Sequence, residues 1–364
     1  MDENIYLKLC NHLNKYPLWA PPTDAFLKIL QIMFTPEEAE FALSLSPRLE
    51  TVSQIAQRTG KDSEDVRNLL EQMVKNGVLI KESGSSRDMK EDRYGLLPTA
   101  PGIWEVTFAK KEKNPRTEKL GRLWREHYEQ GWAKEMHRRI KTPAMRVLAV
   151  GQSIGTEVEV LPYEKASELL KTANFCAVCD CACRSASELA GKGCEKPTDV
   201  CLMFGDFARF LVETDRARQI DYEQALDVLR RTEEAGLVHL TMNTSDAVAS
   251  ICSCCSCCCT QLRAISYLSK PSAVAKSRFI ASLNSDLCTG CGMCQDRCQV
   301  NAIKLSDETA ELVQERCIGC GLCVTTCPSE AIVLIERTEY EKPIPTIREL
   351  ILGMKNSANK PANQ

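Results

Sequence analysis

The stretch Cys288-Thr-Gly-Cys291-Gly-Met-Cys294-Gln-Asp-Arg-Cys298 is answered by Cys317-Ile-Gly-Cys320-Gly-Leu-Cys323-Val-Thr-Thr-Cys327-Pro328, so that one cysteine spacing occurs twice. The repetition runs past the thiols, because Asn301-Ala302-Ile303 is echoed by Glu330-Ala331-Ile332. A duplicated supersecondary unit is expected, with one run of thiols in each copy. Gly290, Gly292, Gly319 and Gly321 stand between the thiols, where a chain wrapped round a small object needs tight turns and inward-pointing N–H groups.

Working outward, the chain holds 21 cysteines in 364 residues, nearly all between Cys176 and Cys327. Their chemistry depends on compartment. The opening Met1-Asp2-Glu3-Asn4 is acidic and lacks the basic-then-apolar pattern of a signal peptide. No stretch approaches the ~18 consecutive apolar residues of a membrane helix. A cytoplasmic location is therefore expected, where thiols stay reduced and dense cysteine means metal or redox chemistry rather than disulfides. The formal net charge of −3 provides no global field for nucleic acid or an anionic membrane.

The x2-x2-x3 spacing, closed by proline in the second run, is the ligand grammar of cubane iron–sulfur clusters. On these motifs residues 283–337 resemble bacterial two-cluster ferredoxins. The resemblance implies a (βαβ)2 fold in which each run holds most of one [4Fe-4S] cluster and lends its last cysteine to the other. Carried over, Cys288, Cys291, Cys294 and Cys327 would hold one cluster, and Cys317, Cys320, Cys323 and Cys298 the second. One departure stands out: Gln299 follows the first run where this family usually has proline.

Twelve more cysteines lie between Cys176 and Cys259. The first group is Cys176-x2-Cys179-x-Cys181-x-Cys183, followed by Cys194 and Cys201. The second is Cys252-Ser-Cys254-Cys255-Ser-Cys257-Cys258-Cys259. Neighbours in an extended chain point to opposite sides, and in a helix positions four apart share a face. Either geometry favours at least two centres drawing on the octapeptide. Six cysteines in eight residues do not look like the spaced pairs of a zinc knuckle, so further iron–sulfur clusters are favoured, with zinc the alternative. Cys176, Cys179, Cys181 and Cys183 are stronger ligand candidates than Cys194 or Cys201, which could be buried structural thiols. The segment loosely resembles the middle of multi-cysteine iron–sulfur proteins of anaerobes.

Upstream, Thr35-Pro36-Glu37-Glu38 reads as a helix start. Thr51 caps a short helix ending near Gly60, and a second helix begins at Asp62 or Ser63. Its Val66, Leu69, Leu70, Met73 and Val74 form one face. Gly77 stops it, and strands at 78–81 and 93–96 flank a turn at 84–86. Helix, turn, helix and hairpin resemble a winged-helix domain. Between Glu50 and Arg93, however, eight basic residues face nine acidic ones. Glu64 and Asp65 also stand where phosphates would approach, so a docking role is favoured over DNA binding.

Residues 110–146 carry twelve Lys or Arg against five Glu, with Trp124, Tyr128 and Trp132 at helical spacing. The aromatics are expected in a core, and an acidic redox partner is the next reading. Strands at 146–150 and 157–161 and a helix from Pro162 to Lys171 lead into the cysteines. Helices at 206–213 and 222–235 and a strand at 237–240 separate the two cysteine groups.

No dinucleotide fingerprint or phosphate loop is present. None of His12, His127, His137 and His239 stands in sequence beside a nucleophile and an acid, so no catalytic residue is assigned. The expected class is α+β and multidomain. A helical, winged-helix-like part spans 1–110, a basic helical connector 111–145, a cysteine-rich α+β domain 146–275, a ferredoxin domain 276–340 and a tail 341–364. The expected function is iron–sulfur electron transfer with a redox partner protein, within or beside a larger anaerobic oxidoreductase system. The alternatives are a cluster-sensing winged-helix regulator and an oxidoreductase with an unusual cluster as its active centre.

Overall fold

The computed structural model describes residues 4–16, 18–45, 48–84, 89–139, 141–155, 164–246 and 248–358. It is mixed helix and sheet, and it divides into two compact units. The first comprises Met1–Met136, Cys179–Gly193 and Asp206–Gln219; the second comprises His137–Val178, Cys194–Gly205 and Ile220–Gln364.

In the first unit, helix starts follow the capping chemistry of the sequence. Thr35 and Glu38 form a reciprocal capping box on the helix Pro36–Ala42, and Thr51 and Gln54 do the same on Val52–Thr59. Gly60 ends the latter helix in the left-handed region, at φ 67°. The Asp62 side chain accepts from the N–H groups of Glu64 and Asp65, which opens the helix Ser63–Lys75. That helix buries Val66, Leu70, Met73 and Val74, while Leu69 is only half-buried. Strands Glu50–Thr51, Arg93–Leu96 and Leu79–Glu82 form an antiparallel sheet in that order. Most of the expected turn at 84–86 lies outside the described residues.

The aromatic residues near 128 face inward. Trp124, Tyr128 and Trp132 are all buried, and Trp124 meets Trp104 edge-on at 4.9 Å. The helix Pro115–His127 gives way to a bend at Gly131, whose φ is 132°. His127 is enclosed between the rings of Phe26, at 4.7 Å, and Trp132, at 5.2 Å. Arg116, Lys119, Arg122 and Lys134 are exposed on the outer face, as amphipathic spacing requires.

In the second unit, strands Met145–Leu148, Val238–Met242, Ser250–Cys254 and Asp199–Phe204 lie side by side in that order, each pair antiparallel. The helix Tyr222–Glu234, boxed by Asp221 and Gln224, leads into the second of these strands through Gly236. The strand expected at 157–161 and the helix start at Pro162 lie outside the described residues; the helix Ala166–Lys171 falls within them.

The duplicated cysteine segment contains two antiparallel strand pairs, Phe279–Leu283 with Ile332–Glu336 and Ile303–Ser306 with Thr309–Leu312. Of the two helices that a (βαβ)2 repeat implies, one is present among the described residues, Met293–Arg297; the second run lies in turns. The boundary expected near residue 276 runs through a single core. Val147, Leu240, Leu262 and Ile265 pack in one cluster with Phe279, Ile318, Leu322 and Leu334. A backbone bond crosses the same boundary, from Val150 N to Cys320 O at 2.9 Å.

Burial holds the His127 imidazole neutral, with its pKa lowered to about 3. In an unfolded chain it titrates near 6.5, so on acidification the unfolded state takes the proton first. The stability it contributes is full above pH ~6.5 and drains away between there and the native value. Denaturant melts from pH 7 to 4 should show this group alone removing about 3 kcal/mol. His127→Gln should flatten that slope.

Candidate metal centres

Each cysteine run supplies most of one wall set and one thiol of the other. One cavity is lined by Cys288, Cys291, Cys294 and Cys327, with Leu283, Leu305 and Ile332 as apolar walls. A second is lined by Cys298, Cys317, Cys320 and Cys323, with Ile318, Leu322 and Leu334. The last cysteine of each run thus stands with the first three of the other.

The echo outside the thiols has a local cause. Asn301 and Glu330 both sit in the left-handed region, at φ 52°. That twist aims the next amide backward: Ala302 N lies 3.1 Å from Cys298 Sγ, and Ala331 N lies 3.3 Å from Cys327 Sγ. Ala310 N similarly approaches Cys288 Sγ at 3.4 Å. Amides aimed at sulfur stabilise thiolate over thiol. Burial works against the Cys327 thiolate, yet the Ser329 hydroxyl and nearby amides outweigh it and lower the pKa. In the second cavity desolvation pushes Cys320 up to about 12.

The second cavity is buttressed from outside the repeat. Val150 N donates to Cys320 O at 2.9 Å, and Ser277 Oγ to Gly319 O at 2.6 Å. The half-buried Arg337 donates from Nη2 to Cys317 O at 2.9 Å. Gly319, at φ 73°, has no room for a Cβ, which would overlap Phe279 O and Ser277 Oγ. Apolar walls, four thiols per cavity and inward amides are the donor set and shell that a [4Fe-4S] cluster requires, so these residues fit that group.

Gln299, the departure from the family pattern, is 8% exposed. Its Oε1 accepts from Ser256 N at 2.9 Å and from Ser256 Oγ at 3.2 Å, and its carbonyl accepts from Ser266 Oγ. Two residues earlier, Arg297 donates to the carbonyls of Glu234 and Glu233, closing the C-terminus of the helix Tyr222–Glu234. The first run is therefore also a clasp on the cysteine-rich segment. Spacing alone does not reveal this; the missing proline is the one signal of it in the sequence.

A third group of thiols lies in that segment. The Sγ atoms of Cys194, Cys255, Cys257 and Cys258 all fall within 4.8 Å of one another. Cys258 stands 3.7 Å from Cys194 and 3.8 Å from Cys257. The chain turns at 256–258 instead of running extended, so the vicinal Cys257 and Cys258 serve one side. Cys254 is hydrogen-bonded instead to the thiols of Cys252 and Cys259, which together with burial raise its pKa. Cys194, ranked low on spacing, joins the tight group. Cys176, half-buried, belongs to the second unit with Cys201, whereas Cys179, Cys181 and Cys183 belong to the first.

Among the histidines, His239 departs from the expectation drawn from its neighbours in sequence. It does stand between a hydroxyl and an acid, with Ser253 Oγ 3.3 Å from Nδ1 and Glu233 Oε1 3.3 Å from Nε2. The strands Val238–Met242 and Ser250–Cys254 pair His239 with Ser253, which sequence distance conceals. Both residues are 1% exposed.

The glycines separate two costs. Gly319→Ala must displace backbone, and iron per chain should fall from about eight to about four. Gly292, also left-handed at φ 76°, has open space where a Cβ would stand, with nothing within 4 Å. Gly292→Ala should cost only about 1 kcal/mol and retain about eight iron atoms. Iron and sulfide counts on anaerobic protein measure both.

No curated protein and no solved structure matches the chain. Residues 281–334 match the family described as the 4Fe-4S dicluster domain, and this C-terminal segment is a ferredoxin-like iron–sulfur domain.

Proposed function

We propose that the protein is an electron carrier holding two [4Fe-4S] clusters with crossed ligands, serving a larger oxidoreductase system through a redox partner protein. Cys288, Cys291, Cys294 and Cys327 hold the first cluster; Cys298, Cys317, Cys320 and Cys323 hold the second. The observation that carries this reading is the lining of the two cavities, each taking three thiols from one run and the last thiol of the other. Bound there, a cubane supplies reversible uptake of one electron. The chain's own residues shield the thiols, aim amides at them and exclude water. Cys252, Cys254 and Cys259 remain candidates for a further iron–sulfur centre, and Cys176, Cys179, Cys181, Cys183 and Cys201 remain candidate ligands.

A docking role for the winged-helix-like part is supported by its charge. The head of the helix Ser63–Lys75 carries Glu64 and Asp65 and is already capped by Asp62, so its N–H groups are not offered to phosphate. Among the described residues no helix is long and apolar enough to cross a membrane.

Cys298→Ser and Cys327→Ser test the crossing. Each variant should keep about four of about eight iron atoms, and each should silence the cluster on the opposite run. Spectroscopy of the dithionite-reduced variants, paired with Cys320→Ser and Cys291→Ser, identifies which cluster survives. The proposal fails if Cys298→Ser matches Cys291→Ser instead of Cys320→Ser.

Arg337 sets a sign as well. Its cation beside Cys317 favours the more reduced, more negative state of the second cluster. Arg337→Gln should lower that cluster's potential by on the order of tens of mV and leave the first nearly unmoved, as read by redox titration.

A further inference from the structure

Thiols that share one metal ion and thiols that share a cubane are separated by different distances. Four sulfurs bonded tetrahedrally to one ion at ~2.3 Å stand about 3.8 Å apart. Around a four-iron cube each thiolate caps its own corner, and the sulfurs stand roughly 6 Å apart. The third thiol group matches the first distance: Cys258 Sγ is 3.7 Å from Cys194 Sγ and 3.8 Å from Cys257 Sγ, and no pair exceeds 4.8 Å. Among the described residues this is the one group of three or more ligating side chains drawn so close. The eight thiols of the duplicated segment instead line two separate cavities, and no three of them lie within 4.8 Å of one another. The chain itself thus makes two kinds of thiol site.

We propose that Cys194, Cys255, Cys257 and Cys258 bind a single zinc ion in a closed tetrahedral site. This narrows the iron–sulfur expectation for the middle cysteines, and it does not depend on the two-cluster reading. Four protein thiolates fill the coordination sphere, which is the pattern of a structural site with no position for substrate. Between zinc and ferrous iron, soft thiolates in one geometry hold zinc more tightly. A disulfide is not the alternative, since bonded sulfurs stand ~2.05 Å apart.

The site has an evident task. Ser256 lies within the Cys255–Cys258 turn and makes both hydrogen bonds to Gln299. Cys194 reaches that turn from 64 positions before Cys258 in the chain. An ion that ties Cys194 to the turn fixes the loop on which the ferredoxin segment is clasped. The exposed Cys257 leaves one edge near solvent, while Cys255 and Cys258 are buried.

The test is metal counting on the full chain purified without oxygen, with X-ray absorption at the zinc edge. Wild-type protein should contain one zinc per chain with four sulfur neighbours at about 2.3 Å. Cys257→Ser and Cys194→Ser should each lower zinc at least tenfold and leave iron and sulfide unchanged. Loss of about four iron atoms with sulfide from either variant would show a cubane and overturn the proposal. Loss of one iron without sulfide would overturn the zinc assignment, and wild-type protein lacking zinc would do the same. The absorption measurement needs no variant, so a misfolded mutant cannot shelter the idea.

Discussion

Four thiolates can share an inorganic core only if the chain brings them together from several directions and leaves the middle empty. Most of the second unit answers to that constraint. A linear run can surround a cluster on three sides but not on the fourth, so the last cysteine of each run is released to the other cavity. Left-handed residues at Asn301 and Glu330 turn the chain after each released cysteine and direct an amide back to its sulfur. Glycine is required at 319 because Phe279 O and Ser277 Oγ already fill the space its side chain would need. Apolar residues from paired strands then seal the walls, which lowers the dielectric and makes each nearby dipole and charge count for more.

The parts of this arrangement that are legible in the sequence are local. Ligand spacing, helix caps and amphipathic faces act over a few residues, and Thr35, Thr51, Asp62 and Asp221 mark helix starts where the structure has them. The inward Trp124 and Trp132 likewise follow from period alone. What is hidden depends on tertiary approach. Cys194 is 64 positions from Cys258, and only folding makes them neighbours. Ser253 and His239 meet through strand pairing. Strand or helix geometry would part the vicinal thiols of the octapeptide, whereas the turn at 256–258 permits adjacent cysteines to face the same way. Gln299 is visible as an anomaly but not as a clasp, because its partner Ser256 lies in another segment.

The two kinds of thiol site also separate two tasks. Open cavities with amide donors and a neighbouring Arg337 suit groups whose charge changes. Four sulfurs within 4.8 Å of one another suit an ion whose charge does not. A zinc ion in the second would steady the framework beside the first, since zinc has no redox chemistry of its own in such a site.

The shared core behind the ferredoxin segment has a cost. In a free-standing module, oxygen that strips iron would spoil that module alone. Here Val150 is bonded to the backbone of Cys320, and Phe279, Ile318 and Leu322 pack with Val147 and Leu240. Oxidative injury at the second cavity would therefore propagate into the neighbouring sheet. The chain has exchanged the portability of a cassette for a core held in common with the neighbouring sheet.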